Sequence, residues 1–183
     1  MVVHGRYLAT GGDIRVIVTG DSVIDWVAHR CKSHNRLGAD VGIGWAKNDC
    51  FDPSGKKFVG YETIHVNLPH LVAGVAYANW NGVNVECHIA SDGSKRWLTR
   101  EYLWAIFDYP FNQLGAQRIT VCVAAANADS CRFVKHLGFT IEAKLEAAHP
   151  TGDILIFCMK RQDCRFIQTR SQYGQGNISA SAA

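Results

Sequence analysis

Residues 118–139, reading RITVCVAAANADSCRFVKHLGF, constrain this chain more than any other stretch. From Ile119 to Ala124 the run is apolar on both faces, as a buried central strand requires. Asn127 is placed to cap a helix, with Asp129 in its first turn at the positive end of the dipole. Cys131, Val134 and Leu137 share one helical face, and Gly138 sits where a left-handed residue ends a helix. Phe139 then opens the next apolar segment. The unit reads as strand, short loop, helix of about three turns, tight stop and strand.

The rest of the chain supplies partners for that unit. Ile14 to Thr19 reads as a first strand, and Asp21 as the cap of a short helix carrying Val23, Trp26 and Val27. Arg36 to Asp40 reads as a loop and Val41 to Lys47 as a strand. In Asp49 to His70 the Asp52-Pro53-Ser54-Gly55 turn precedes Phe58 to Val66, an added strand or half of a hairpin. That excursion is either a plain surface feature or a lid over a substrate. Leu71 to Trp80 is a strand candidate, and Asn81-Gly82 signals a two-residue hairpin. From Val83 to Ala90 the alternation is strict. Val83, Val85, Cys87 and Ile89 face one way, and Asn84, Glu86 and His88 the other. A polar face on so central a strand suits the border of a cleft. Thr99 opens a helix to about Leu114 that Pro110 should interrupt. Phe139 to Ala147 and Asp153 to Lys160 read as two strands joined at Pro150-Thr151-Gly152. Residues 1–167 are expected to form one domain, and 168–183, rich in Ser, Gly, Gln and Ala, a flexible tail.

Composition narrows the class. With 48% apolar and 19% charged residues in 183, the chain reads as globular and large enough to bury a core. The longest apolar run falls far short of the ~20 residues needed to cross a bilayer, and no signal peptide is indicated. A cytoplasmic location and no membrane partner are therefore expected. Seven cysteines without paired spacing argue against a disulfide framework. Cys122 and Cys158 read as small buried hydrophobes. His29-x-Cys31-x-x-His34 lacks a companion Cys-x-x-Cys, so no metal site is assigned. A net charge of +3 gives no support for a nucleic-acid partner.

The spacing Asn127-x-x-Ser130 followed by Leu137-Gly138-Phe139 resembles the acetyl-CoA-binding core of the GNAT N-acyltransferases. The resemblance is nearest to the branch containing the ribosomal-protein N-terminal acetyltransferases and to small GNAT proteins carried by bacteriophages. It runs well from Leu71 to Arg165 and only loosely through the N-terminal third. It implies an α/β (α+β) fold: a mixed, mostly antiparallel sheet of about seven strands, helices on both faces, splayed between the fourth and fifth strands. It also implies acetyl transfer from acetyl-CoA to a primary amine, on a protein or a small molecule, directly within a ternary complex. A homodimer is compatible with this reading.

By the same resemblance, the pantetheine arm lies along His88, Ile89 and Ala90, and Asn127 bonds the pantetheine region. The pyrophosphate falls at the run Asp92 to Arg100, before a helix whose free amides favour an anion. Ser94 and Arg96 stand where the family usually has glycines, and Leu98 where it has a small residue. Lys95, Arg96 and Arg100 can replace backbone approach with charge-assisted bonds; Trp97 and Leu98 complete the run. The family's leaving-group Tyr falls at Val134, which donates nothing, so Ser130 is expected to meet the departing thiolate. Glu86 is the expected base and His88 the second choice; Asn84 and Tyr77 are expected on the acceptor side. The missing glycines and Tyr also fit a different reading, a catalytically inactive GNAT-fold module that binds a partner protein. A nucleic-acid-modifying GNAT is disfavoured by the weak charge.

Overall fold

The computed structural model describes residues 2–8, 14–31, 39–47, 71–94 and 97–168. Eight strands form one sheet: β1 (Val2–Leu8), β2 (Ile14–Thr19), β3 (Ala39–Lys47), β4 (Leu71–Ala78), β5 (Asn84–Ser91), β6 (Arg118–Ala124), β7 (Thr140–His149) and β8 (Gly152–Lys160). Their spatial order is β1-β2-β3-β4-β5-β6-β8-β7. All neighbours are antiparallel except β5 and β6, which run parallel. The expected count of about seven is exceeded by β1, so the expected fourth and fifth strands are here β5 and β6. The excursion at 49–70, the residues Lys95 and Arg96, and the tail from 169 onward lie outside the described residues.

Helices cover both faces, as expected. On one face lies α1 (Asp21–Arg30), burying Val23, Ile24, Trp26, Val27 and Ala28. It sits close because the sheet beneath it is glycine. A Cβ on Gly74 would stand 2.7 Å from Val27 Cγ2, and one on Gly42 2.9 Å from Val23 Cβ. Asp21 does not cap this helix. Gly20 holds the cap position, with no side-chain bond, and Asp21 is the first helical residue instead.

The opposite face holds the main core, under α2 (Arg100–Asp108) and α3 (Ala128–Leu137). Tyr102, Phe111, Ile119, Leu137 and Phe157 are almost wholly buried there. Thr99 caps α2 through Tyr102 N–H, 3.3 Å away. Pro110 acts as expected. It closes the α-helix at Asp108, and 109–113 continue as a wider π turn in which Leu114 N–H reaches Tyr109 C=O at 2.8 Å. Proline also deprives Ile106 C=O of the amide donor four residues on. The buried Tyr77 hydroxyl donates to that carbonyl instead. A short α4 (Arg165–Gln168) packs beside α2.

The Asn81-Gly82 hairpin is longer than the two residues its sequence suggests. β4 ends at Ala78 and β5 begins at Asn84. Asn81 Oδ1 accepts from Val83 N–H (3.1 Å) and Asn84 N–H (2.8 Å), an Asx turn that leaves Val83 outside the strand and 53% exposed.

Candidate active site

The parallel pair β5–β6 is in register only at Asn84↔Arg118, Val85↔Ile119 and Glu86↔Thr120. Beyond Glu86 the strands part. β5 continues against β4 alone and β6 against β8 alone. The direction of the freed backbone groups follows from two bonds. Asp92 N–H donates to Val72 on the β4 side at 2.9 Å, whereas Val83 C=O accepts from Gln117 N–H on the β6 side at 2.9 Å. Backbone direction repeats every two residues in a strand. Even-numbered groups of β5 therefore serve β4, and those of Cys87, Ile89 and Ser91 turn toward the gap. Of the three positions expected to line the pantetheine arm, only Ile89 presents its backbone there. Ala90 packs its methyl against the α1 cluster, and His88 contributes its side chain.

At the closed end Asn84 Oδ1 accepts from Thr120 Oγ1 (2.7 Å) and Arg118 Nε (3.2 Å). Arg118 extends to Glu142, bonding Oε1 at 3.0 Å and also Oε2. That arginine holds the Glu142 carboxyl below its usual range. Asn84 is thus a clasp between strands, and its carboxamide oxygen is already engaged.

One step toward the opening, Glu86 Oε2 accepts from Asn79 Nδ2 at 3.0 Å; Asn79 holds a left-handed backbone, φ 55°. His88 follows on the same face, half-buried. Burial pushes its imidazole pKa below the usual value, and the nearby Glu86 opposes that shift. On the facing arm, two residues past Thr120, stands Cys122. It is exposed, not a buried hydrophobe as its apolar run suggests. Burial and then Glu86 raise its thiol pKa. Glu86, His88 and Cys122 thus share the mouth of the gap. Cys122 was legible only through the register that sets its side chain beside Thr120.

The remaining expected residues divide. Asn127 caps α3, its Oδ1 accepting from Ser130 N–H at 3.1 Å, so its amide nitrogen is the part left for a ligand. Ser130 stands half-buried in the first turn. Arg100 is exposed at the start of α2. Trp97 is core-directed, its ring 5.6 Å from Phe133 and 6.1 Å from Tyr102, and Leu98 packs on the same core. Tyr77, expected on the acceptor side, is instead sealed beneath α2. Sequence reading missed Arg30 at the end of α1, which donates to Ser91 C=O at 3.0 Å and stacks over Trp26. A surface cavity of about 580 Å³ lined by Asn112, Gln117, Lys160, Arg161, Gln162 and Ile167 lies elsewhere, at the closed end of the parallel pair.

Residues 67–153 match the family model described as an acetyltransferase (GNAT) domain. This stretch, which holds β4 through β7, is similar to GNAT acetyltransferase domains. Solved structures agree on the fold. The ribosomal-protein-S5-alanine acetyltransferase of Vibrio fischeri is 11% identical, covers 89% of this chain and 98% of its own, and superposes with a TM-score of 0.56. yncA of Salmonella typhimurium, an assigned acetyltransferase solved with its cofactor acetyl-CoA, is 12% identical (80% and 94% covered, TM-score 0.55). A variant of the spermidine N-acetyltransferase of Vibrio cholerae is 13% identical (86% and 98%, TM-score 0.56). No curated protein matches the chain in sequence.

Proposed function

We propose that the chain moves an acetyl group from acetyl-CoA to a primary amine by direct attack within a ternary complex. The carrying observation is the parting itself: past Glu86, β5 pairs with β4 and β6 with β8, so the backbone groups of Cys87 and Ile89 face the side that β6 has left, in the strand that precedes α2. Backbone groups inside a sheet need partners; the amides of a pantetheine arm would supply them at Cys87 and Ile89, whose carbonyl otherwise meets only the weak Cys31 thiol donor at 4.0 Å. The exposed Arg100 in the first turn of α2 stands where an anion gains from both charge and free amides. Lys95 and Arg96 precede it in sequence and would add charge-assisted bonds to the pyrophosphate.

The chemistry assigned to this chain's own residues is proton handling. Glu86 takes the proton of the acceptor ammonium, directly or through a water, while Asn79 orients its carboxylate. His88, kept neutral by burial, is the second proton acceptor. The free amine attacks the thioester carbonyl, the carbon–sulfur bond breaks, and the surplus proton of the new amide nitrogen passes to the departing thiolate, so that CoA leaves as the thiol. Ser130, at the first turn of α3, gives that thiolate a hydrogen bond.

Calorimetry with acetyl-CoA, repeated on Arg96→Ala and Arg100→Ala, tests this reading. The expected result is binding weakened about tenfold or more in each variant, as loss of a charge-assisted phosphate contact implies. Absence of binding at millimolar acetyl-CoA would favour the inactive protein-binding module, which the missing loop glycines and Val134 also suit.

A further inference from the structure

The sheet face that carries Glu86 is covered by α1 over β2 to β5, and among the described residues no helix covers it beyond. On the uncovered part, register sets Cys122 beside Ile156 and Ala124 beside Ile154, with Ala143 and Leu145 of β7 outside them. Leu145 is 45% exposed, and Ile154 and Ile156 are half-buried. The result is an apolar ramp that begins at the mouth of the gap and runs outward across three strands. Its carboxylates, among the described residues, are Glu86 at the mouth and Glu142, which Arg118 already neutralises.

Resting on the acetyl-transfer reading above, we propose that the acceptor is a primary amine carried on an apolar body. Its amine meets Glu86, and its carbon skeleton lies along Cys122, Ile156 and Leu145. Continuity with the mouth argues for this occupant. The ramp starts two residues past Thr120, the last residue of β6 in register with β5. Charge argues the same way. A polyamine spreads several cationic nitrogens along its length and needs a carboxylate for each, whereas the described residues of this face offer Glu86 followed by aliphatic side chains. An alkyl or aryl body gains from leaving water on such a surface.

The test is a ladder of acceptors, from propylamine to hexylamine, with spermidine as the contrasting probe, assayed on the full chain by chromatographic CoA release. Removing one methylene from water is worth up to about a factor of four, so kcat/KM should climb roughly two- to fourfold per carbon. Spermidine should fall about tenfold or more below hexylamine. Ile156→Asp and Leu145→Asp, two surface changes on different strands, should each flatten the ladder while leaving calorimetric acetyl-CoA affinity unchanged. A flat ladder in the native protein, a preference for spermidine, or a ladder unmoved by both variants overturns the proposal. So does sedimentation showing a dimer that Leu145→Asp dissolves, since the ramp is then an interface between copies. If acetyl-CoA itself fails to bind, the transfer reading falls and this proposal with it; binding without the ladder sinks this proposal alone.

Discussion

At one end β5 and β6 are clasped, and at the other the same two strands are parted. The clasp is redundant: three positions in register, Val85 and Ile119 buried beneath them, and Asn84 shared between Thr120 and Arg118 above. The open end has the same strand-forming residues and none of the cross-links. Nothing in the β-propensity of Cys87-His88-Ile89 or Val121-Cys122-Val123 forbids pairing, so the parting is imposed from outside. Each strand is held by its other neighbour, β5 from Glu86 to Ser91 by β4 and β6 by β8. The contrast teaches that the cleft is bought with ladder bonds the sheet could otherwise form, each worth about 1 kcal/mol. A fold tolerates that loss where a ligand's polar groups complete the ladder.

The strongest way to break the comparison is at the first residue past the clasp. If the open end is the reaction centre, Glu86→Gln should lower kcat at neutral pH by about 10²–10⁴, the usual contribution of a general base, with acetyl-CoA affinity nearly unchanged. The loss should shrink as pH rises and the acceptor amine deprotonates without help. Full activity at every pH would return Glu86 to the role of a solvated partner for Asn79.

Next in size is Tyr77→Phe, which distinguishes core from cleft. The variant removes the hydroxyl that serves Ile106 C=O in place of the missing Pro110 amide, at a cost of about 1–3 kcal/mol. For a domain of this size that is roughly 2–4 °C of Tm per kcal/mol, read by calorimetry. The acceptor KM should not change. A shifted KM at unaltered Tm would put the hydroxyl back in the site.

Much of this was legible in the sequence, and the rest failed for identifiable reasons. The strand, helix and stop from Arg118 to Phe139 formed as read because the local signals agreed, with Asn127 capping and Gly138 at φ 107° ending the helix, but burial along β6 alternates instead of closing both faces. Pro110 was read correctly as an interruption, but its consequence for Tyr77 needed the third dimension. The β4 strand is buried on both faces along its whole length, so its sequence gives no hint which side Tyr77 occupies. Val2–Leu8 was missed as a strand because His4, Gly5 and Arg6 break up its apolar residues, although Gly11-Gly12-Asp13 after it is a turn signal. Cys122 was misread because an apolar run does not show where the covering helix stops. On this face α1 stops short of it.

Weakening the clasp is the milder counterpart. Asn84→Ala removes the shared acceptor, leaving Thr120 Oγ1 and Arg118 Nε to find water, both being only partly buried. The expected cost is about 1 kcal/mol in urea unfolding, with acceptor KM unmoved, since the lost oxygen already had protein partners. A large KM effect with unchanged stability would restore Asn84 as an acceptor contact.

The smallest effect concerns His88, and its sign is fixed by the direction of its shift. Burial lowers the folded-state pKa below the unfolded value of about 6.5, with Glu86 only partly opposing. Below that value the unfolded chain binds the proton more readily, so acid draws the equilibrium toward unfolding. The stability tied to a neutral His88 is therefore complete above about pH 6.5 and is lost as pH falls through the folded value. His88→Gln keeps a polar side chain of similar reach but cannot titrate. Thermal midpoints of the two proteins should run parallel from pH 8 to about 6.5 and converge below it, the native protein losing more. Other acid-sensitive groups cancel in the difference. Midpoints that stay parallel down to pH 5 would mean that His88 protonates in place, with the open end as wet as the surface around it.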